Sequence, residues 1–369
     1  MRYKVSVIIP CYNSEETVKD ALESAISQGK NLSPIEIICV DDGSTDGTWG
    51  ILSEYAERYQ IIKTLTQENR GAGYARNAGI EVADGEFVCF LDADDTYPRP
   101  DTLATLYHAI TESRQRIVGG SFSVIHGRNG KVKDKFVFPL DGYTFTERTV
   151  MRYSDYQFDY GYHRFIYDLE FLRANNITFP SYRRYQDPPF FARAMLSAET
   201  FMAIPEQTYR YRMEHKTVCW TEQKVADMMD GITEMLRLSK KENLPKLHFY
   251  TYVRLVEHFD LIAEQICIQN SAIRHRFIEL INEVDFDFIR NADNYYEVLL
   301  GKIPHADMLR NLELFDGASA KKVIQMLEIG TALMLRKQNE DIKRSWTYRI
   351  ERIIVFLPKL VRNWLRGLR

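Results

Sequence analysis

Residues 87–95 carry the strongest chemical signal in this sequence. They read Phe-Val-Cys-Phe-Leu-Asp-Ala-Asp-Asp, so an apolar run ends abruptly in three carboxylates. Adjacent carboxylates repel one another and resist removal from water unless a positive charge sits among them. Oxygen ligands of this kind suit Mg²⁺ or Mn²⁺, whose remaining ligands are often waters and substrate phosphates. The alternative interpretation is an acidic turn that caps the next helix.

Four apolar segments that are typical of buried strands precede predicted loops and helices in the first part of the chain. They are residues 5–10, 35–40, 61–65 and 87–91. Strands that alternate with helices predict an α/β fold with a doubly wound, mostly parallel sheet. Ligands bind at the carboxyl ends of the strands in such sheets, and the second and fourth segments end in carboxylates.

Two common nucleotide sites are excluded by the residues that follow the first strand. A dinucleotide site needs a glycine-rich turn there, but the sequence has Pro10, Cys11, Tyr12 and Asn13. The sequence also lacks a phosphate loop that ends in Gly-Lys-Ser or Gly-Lys-Thr.

Four motifs in order resemble the family 2 glycosyltransferases, which have a GT-A fold. They are residues 5–13, 40–46, 69–79 and 90–95. The resemblance is close over residues 1–115 and looser as far as residue 215. It implies transfer of a sugar from a nucleotide sugar, with UDP as the expected nucleotide, to an acceptor hydroxyl with inversion at the anomeric carbon.

The predicted domains follow from this resemblance and from a change of pattern after residue 220. We expect a GT-A catalytic domain at 1–220, with a nucleotide-sugar half at 1–115 and an acceptor half at 116–220. Apolar residues then follow helical spacing, which predicts a smaller all-α region at 221–337. Residues 338–369 form a basic amphipathic tail.

The nucleotide-sugar site is predicted from the motifs. A carboxylate at Asp41 or Asp42 can accept the N–H of a uracil base, with Pro10 and Tyr12 as the pocket wall. Arg76 either donates to the nucleotide or is a helix-surface arginine paired with Glu81 or Asp84. The full set of predicted nucleotide-sugar ligands is Pro10, Tyr12, Asn13, Glu16, Asp41, Asp42, Asn69, Gly71, Arg76, Asp92, Ala93 and Arg212.

The resemblance also implies a metal site and a base. Asp94 is the expected direct ligand of Mn²⁺ or Mg²⁺, with Asp92 nearer the ribose or a bound water. His215 is a candidate third ligand, although a lone histidine is more often structural. Asp187 matches the position of the family's general base, where Gln186 replaces the usual Glu. Because Pro188 follows it, Asp187 is also expected to be a helix N-cap, a role that needs no chemistry.

An aromatic-rich segment lies between the sheet motifs and Asp187. Aromatic faces stack on sugars, so an acceptor site is one interpretation, and packing over the sheet is the other. Its residues are Tyr143, Phe145, Tyr153, Tyr156, Phe158, Tyr160, Tyr162, His163, Phe165 and Tyr167.

Composition indicates the compartment and the partners. The 369 residues carry a formal charge of −3 and five scattered cysteines, and we expect a reducing cytoplasm. Residues 336–369 hold ten Lys or Arg against three Asp or Glu, around an apolar helical face. This pattern predicts attachment to an anionic membrane at the inner face of the cell membrane. Packing on the helical region or in a homodimer is the alternative, and nucleic acid is not expected.

These features together predict a metal-dependent glycosyltransferase that acts on a lipid-linked glycan or a surface polysaccharide. A sugar nucleotidyltransferase is an alternative enzyme, but its glycine-rich, basic triphosphate loop is missing after the first strand. A catalytically silent, membrane-bound sugar-binding or scaffold subunit is an alternative of another class, because Gln186 departs from the family pattern.

Overall fold

The computed structural model describes residues 2–126, 130–136, 140–213, 219–258, 262 and 271–290. The chain divides into two compact units, Met1–Gly231 and Ile232–Arg369. The domain boundaries that the sequence predicts, at residues 220 and 337, stay predictions.

The strands are β1 Tyr3–Cys11, β2 Ile35–Asp41, β3 Ile62–Thr66, β4 Gly85–Phe90, β5 Ile117–His126, β6 Val132–Lys133, β7 Thr149–Arg152, β8 Phe165–Asp168 and β9 Thr200–Met213. The helices are α1 Val18–Gln28, α2 Thr48–Arg58, α3 Ala72–Val82, α4 Thr102–Ser113, α5 Tyr153–Tyr156, α6 Leu169–Ala174, α7 Asp187–Ala198, α8 Glu222–Lys241, α9 Pro245–Glu257, α10 Ser271–Glu283 and α11 Phe286–Arg290.

The strands in the described part of the first unit form one mixed sheet in the order β3-β2-β1-β4-β8-β5-β9-β7, with β6 beside β5. Strands β1 to β4 are mutually parallel, and β8 is antiparallel to both β4 and β5. Strand β5 therefore runs in the same direction as β4, and β9 is parallel to β5. The predicted α/β fold is confirmed, and the carboxyl ends of β1, β2, β4, β5 and β9 share one edge.

Helices cover both faces of the first strands, which explains why their apolar runs do not alternate with polar residues. Val5, Val7 and Ile9 lie in a core shared with α1 and α4. Successive side chains of a strand point to opposite faces, so Ile8 faces the other side. There α3 packs closely, because a Cβ added to Gly79 would lie 2.5 Å from Ile8.

The described part of the second unit is helical. Predicted apolar positions of α8, including Ile232, Met235 and Leu236, are buried. Among the residues with described structure, no helix is both long enough and apolar enough to cross a bilayer.

His248 on α9 is a buried histidine with a defined tautomer. Its Nε2 accepts the backbone N–H of Asp285 at 3.0 Å. Its Nδ1 lies 2.8 Å from the hydroxyl of Ser239, which itself donates to the carbonyl of Leu236 at 2.8 Å. Nδ1 therefore carries the proton in neutral His248. Burial lowers the pKa of His248 to about 4.

Acid should therefore weaken the helical unit. The folded pKa of His248 lies below the ordinary value of about 6.5, so its contribution is complete above that pH and is lost as the pH falls towards 4. Between pH 7 and pH 5 we expect a loss of about 2 kcal/mol of unfolding free energy. Urea denaturation at both pH values should show a smaller loss for His248→Phe than for the wild type. The exposed His108→Gln is the control, and equal losses in wild type and His248→Phe would contradict the assignment.

Candidate active site

Three carboxylates lie together just after β4. Oxygen atoms of Asp92, Asp94 and Asp95 all fall within 4.8 Å of one another. Asp95 is fully buried and accepts hydrogen bonds from the hydroxyl of Tyr209 and the backbone N–H of Arg212, both at 2.7 Å. Burial, with the charges of Asp94 and Asp92, raises the pKa of Asp95 well above its usual range. A divalent cation would relieve this repulsion, so the cluster fits the predicted metal site.

Asp95 was not among the predicted site residues. Its place in the same run of acidic residues was a signal, but the sequence could not show that its carboxylate would turn inwards. The hydroxyl of Tyr209 on β9 also positions the cluster, since it accepts a hydrogen bond from the backbone N–H of Asp92 at 3.2 Å.

Arg76 of α3 joins this cluster to the predicted base. Its side chain is 4% exposed, and its guanidinium lies 2.7 Å from Oδ1 of Asp92 and 3.2 Å from Oδ1 of Asp187. The alternative expectation of a surface arginine paired with Glu81 or Asp84 is wrong, because the helix turns this position towards the sheet edge. One buried cation therefore holds two carboxylates that are far apart in sequence.

The charge of Arg76 decides the ionisation of Asp92. Burial by itself would favour the neutral acid, but the nearby guanidinium outweighs burial and holds the pKa of Asp92 below its usual value. The rings of Tyr162 and Phe179 lie 5.1 and 5.2 Å from the guanidinium carbon. Their faces give the buried cation further favourable contacts.

Asp187 is the first residue of α7, not its N-cap. Gln186 occupies the N-cap position, has helical backbone angles and makes no side-chain cap bond. The expected cap role is therefore wrong by one position, because the helix begins a residue earlier than the following proline suggested. The Asp187 side chain is 42% exposed even though Arg76 holds one oxygen. An acceptor molecule can therefore reach this carboxylate.

Residues 179–187, called the strap below, cross the first turns of α3 and carry Asp187 to the site. The Asn77 side chain donates to the carbonyl of Phe179 at 2.8 Å and accepts its N–H at 2.9 Å. A Cβ on Gly73 would lie only 3.2 Å from the carbonyl oxygen of Pro180 and 3.3 Å from Cγ of Gln186. Gly73 therefore permits the close approach of strap and helix.

Asp41 and Asp42, at the carboxyl end of β2, do different things. Oδ2 of Asp41 accepts the N–H of Ser44 at 3.2 Å, while its buried Oδ1 has no hydrogen-bond partner among the described residues. Asp42 accepts three bonds, from the Gln67 side chain and the backbone N–H groups of Arg70 and Gly71, at 2.7 to 2.9 Å. Asp41 thus keeps one buried oxygen without a partner among the described residues, whereas Asp42 shapes the adjacent loop.

The profile described as "Glycosyl transferase family 2" matches residues 6–173. This range contains the acidic cluster, Asp41, Asp42 and Arg76. Residues 6–173 form a glycosyltransferase family 2 domain. The match ends before Asp187, so the predicted base rests on the geometry of the strap described above.

Two curated relatives are bacterial proteins. The poly(ribitol-phosphate) beta-glucosyltransferase of Bacillus spizizenii is 29% identical over 265 residues, which cover 70% of this chain and 40% of that protein. The uncharacterized glycosyltransferase YibD of Escherichia coli is 48% identical over 105 residues, or 28% of this chain and 30% of that protein. The chain thus spans well under half the length of these relatives.

Solved structures show the same fold. The crystal structure of residues 1–349 of Staphylococcus aureus TarS in complex with UDP-GlcNAc is 21% identical and has a TM-score of 0.60. The alignment covers 91% of this chain and 92% of that one. The family 2 domain therefore has the GT-A-like fold that the sequence predicts.

Other predicted ligands of the family 2 domain lie along the same sheet edge. Pro10 is buried on β1, and Tyr12, just beyond this strand, is 46% exposed. Asn13 is fixed to the next loop, since its Oδ1 accepts the N–H of Thr45 at 2.8 Å. Ala93 is buried inside the acidic run, and Glu16 is exposed before α1.

Arg212 does not point freely into the site. Its guanidinium lies 2.8 Å from Oδ2 of Asp20 on α1, and its side chain is 9% exposed. Its predicted contact with the nucleotide sugar stays a prediction. His215, the predicted third metal ligand, lies outside the described residues.

The aromatic-rich segment belongs mainly to the buried core. Seven of its rings are buried or largely buried on α5, on β8 and in the loops around them. They belong to Phe145, Tyr153, Tyr156, Phe158, Tyr162, Phe165 and Tyr167. Packing over the sheet is therefore the correct interpretation for these positions.

His163 is a neighbour of the site that the sequence did not single out as polar. Both of its ring nitrogens are buried and lack hydrogen-bond partners among the described residues. Its ring lies 3.8 Å from that of Tyr209. Burial lowers the pKa of His163 to about 3, so it is neutral beside Asp92.

Proposed function

We propose that the protein is an inverting, metal-dependent glycosyltransferase. It moves a sugar from a UDP-sugar to a hydroxyl of a lipid-linked glycan or surface polysaccharide. The proposal rests on one observation: Arg76 pairs with both Asp92 and Asp187, and so holds the exposed carboxylate of Asp187 beside the acidic cluster. Family membership supports sugar transfer as the reaction class.

The donor half of the site suits a uridine nucleotide. Oδ1 of Asp41 has no hydrogen-bond partner among the described residues, and in this proposal it accepts the N–H of uracil. Asp94 and Asp92 would hold Mn²⁺ or Mg²⁺, which would neutralise charge on the departing diphosphate. Arg76 supplies a further positive charge beside Asp92, and this charge is present whether or not a ligand is bound.

The acceptor half supplies the base. The acceptor hydroxyl oxygen forms the new bond to the anomeric carbon while the bond from that carbon to the diphosphate oxygen breaks. Asp187 takes the proton that the hydroxyl loses, and UDP leaves with the electron pair. Because Arg76 binds Oδ1 of Asp187, the carboxylate is held in one orientation for this transfer.

The curated relatives suggest which acceptors to test first. The Bacillus spizizenii relative is named for poly(ribitol phosphate), as is TarS itself. Purified protein should be incubated with UDP-glucose, UDP-GlcNAc, UDP-galactose and GDP-mannose, with and without poly(ribitol phosphate), with Mn²⁺ or EDTA. We expect Mn²⁺-dependent release of UDP from one UDP-sugar and an inverted anomer by NMR. Transfer from GDP-mannose alone, or retention of configuration, would contradict the proposal.

The basic tail, residues 338–369, lies outside the described residues, and we propose from its sequence that it attaches the enzyme to the inner face of the cell membrane. Truncation after Arg344 removes its apolar face and most of its positive charge. The truncated protein should no longer sediment with anionic vesicles but should still use a short acceptor in solution. Binding of the intact chain should weaken with salt, since each basic residue contributes only about 1 kcal/mol at the surface. Equal sedimentation of both proteins would assign the tail to packing or dimerisation.

A further inference from the structure

Arg183, in the middle of the strap, forms hydrogen bonds with the loop of residues 69–71 that precedes α3. Its Nη1 donates to the side-chain oxygen of Asn69 at 3.0 Å, and its Nη2 donates to the backbone oxygen of the same residue at 3.1 Å. A planar guanidinium can make both bonds at once, which a lysine cannot. Arg183 therefore holds both the side chain and the backbone of Asn69.

Gly71 gives the loop its backbone conformation beside the strap. Its φ of 100° is a conformation that residues with a Cβ rarely adopt. A Cβ there would lie 3.6 Å from Cα of Arg183, an ordinary contact distance, so the backbone conformation and not the available space favours glycine. The loop thus has the strap on one side, while Asp42 binds the N–H groups of Arg70 and Gly71 on the other.

The strap is in turn anchored where α8 begins. The backbone N–H of Arg183 donates to Oδ2 of Asp227 at 2.7 Å, and the Gln223 side chain donates to Oδ1 of the same carboxylate at 2.7 Å. Asp227 is buried. This bond fixes the backbone from which the exposed Arg183 side chain reaches Asn69.

We propose that Arg183 is a positioning residue for the nucleotide-sugar subsite and acts through Asn69. The proposal rests on the proposed function, in which the loop around Asn69 belongs to the donor half. The strap also carries Asp187, so one segment supports both the donor loop and the base. Without Arg183 the loop keeps its hydrogen bonds to Asp42 but loses those to the strap. Part of the free energy of donor binding is then used to order the loop, so the affinity falls.

Affinity for UDP tests this coupling. Calorimetry with Mn²⁺ should show that Arg183→Ala weakens UDP binding about 5- to 30-fold, the effect of losing two hydrogen bonds. Asn69→Ala should weaken binding as well. If Arg183 acts through Asn69, the double variant should bind UDP more tightly than the product of the two single losses predicts, although Asn69→Ala leaves the bond from Arg183 to the backbone oxygen in place. Additive losses would mean that Arg183 contacts the ligand itself and would overturn the positioning role.

Two matched variants separate geometry from charge. Arg184→Ala removes the neighbouring positive charge, which lies 5.4 Å from the Trp220 ring, and should leave UDP affinity within about twofold of wild type. Arg183→Lys keeps the charge without the forked donor, so its affinity should stay close to that of Arg183→Ala. Full recovery in Arg183→Lys would show that charge alone matters and would overturn the proposal. In turnover assays the loss should appear in the KM for the donor, with kcat nearly unchanged.

Hydrogen exchange of the ligand-free protein gives a readout that does not depend on the reaction. The Arg70 and Gly71 amides, bonded to Asp42, should exchange faster in Arg183→Ala than in wild type and Arg184→Ala. Unchanged exchange would overturn the claim that Arg183 orders the loop. If the wild-type protein binds no UDP, the proposed donor is contradicted. The exchange rates would then still show whether Arg183 orders the loop.

Discussion

Asp187→Asn should lower the rate of sugar transfer by about 10²- to 10⁴-fold while leaving UDP affinity unchanged. The amide keeps the size of the carboxylate and can still accept the hydrogen bond that Arg76 makes at 3.2 Å. It cannot take the proton of the acceptor hydroxyl at neutral pH. Single-turnover rates with a saturating UDP-sugar, together with calorimetry of UDP, measure the two effects separately.

The control for this variant is Asp101→Asn, the same chemical change at the N-cap position of α4. Asp101 is exposed and paired with Arg99 at 3.0 Å, outside the acidic site. Its transfer rate should match the wild type. Near-normal turnover in Asp187→Asn would remove Asp187 from the role of base, and lost UDP affinity would show that the substitution had disturbed Arg76 and Asp92.

Asp94→Ala should abolish Mn²⁺-dependent binding of UDP and with it transfer. A bound cation would lie among the oxygens of Asp92, Asp94 and Asp95, and Asp92 is already engaged by Arg76 at 2.7 Å. Loss of Asp94 therefore removes the ligand on which the predicted site depends most. Calorimetry of UDP with Mn²⁺, with Mg²⁺ and with EDTA measures the effect.

The metal-free fold provides the internal control for Asp94→Ala. Removing one carboxylate lessens the repulsion that raises the pKa of Asp95. The melting temperature of the variant in EDTA should therefore equal or exceed that of the wild type. If the variant bound UDP with unchanged, Mn²⁺-dependent affinity, Asp94 would not be a metal ligand.

Local pattern was enough to predict the parallel half of the sheet and its reactive edge. Runs such as residues 37–40 are apolar because both faces of their strands are covered. Asp41 ends one of these strands, and Asp92 closely follows another. Parallel strands bring their carboxyl ends to one edge, so the order of motifs along the chain was enough to bring these acids together. The same reasoning could not distinguish the roles of adjacent acids. It treated Asp41 and Asp42 alike, although Asp41 has an oxygen without a partner among the described residues and Asp42 binds the loop at Gly71.

The sequence by itself therefore determined the family 2 domain, its GT-A-like sheet and the acids along its edge. Only the tertiary structure decided that Arg76 is buried between Asp92 and Asp187, and that Arg183 holds Asn69. Residues 76 and 187, and 69 and 183, are more than a hundred positions apart, so no helical or strand period relates them. These pairs form because the strap packs across α3. That packing depends on the contacts that Asn77 and Gly73 make with the strap, and a local sequence pattern does not predict such contacts.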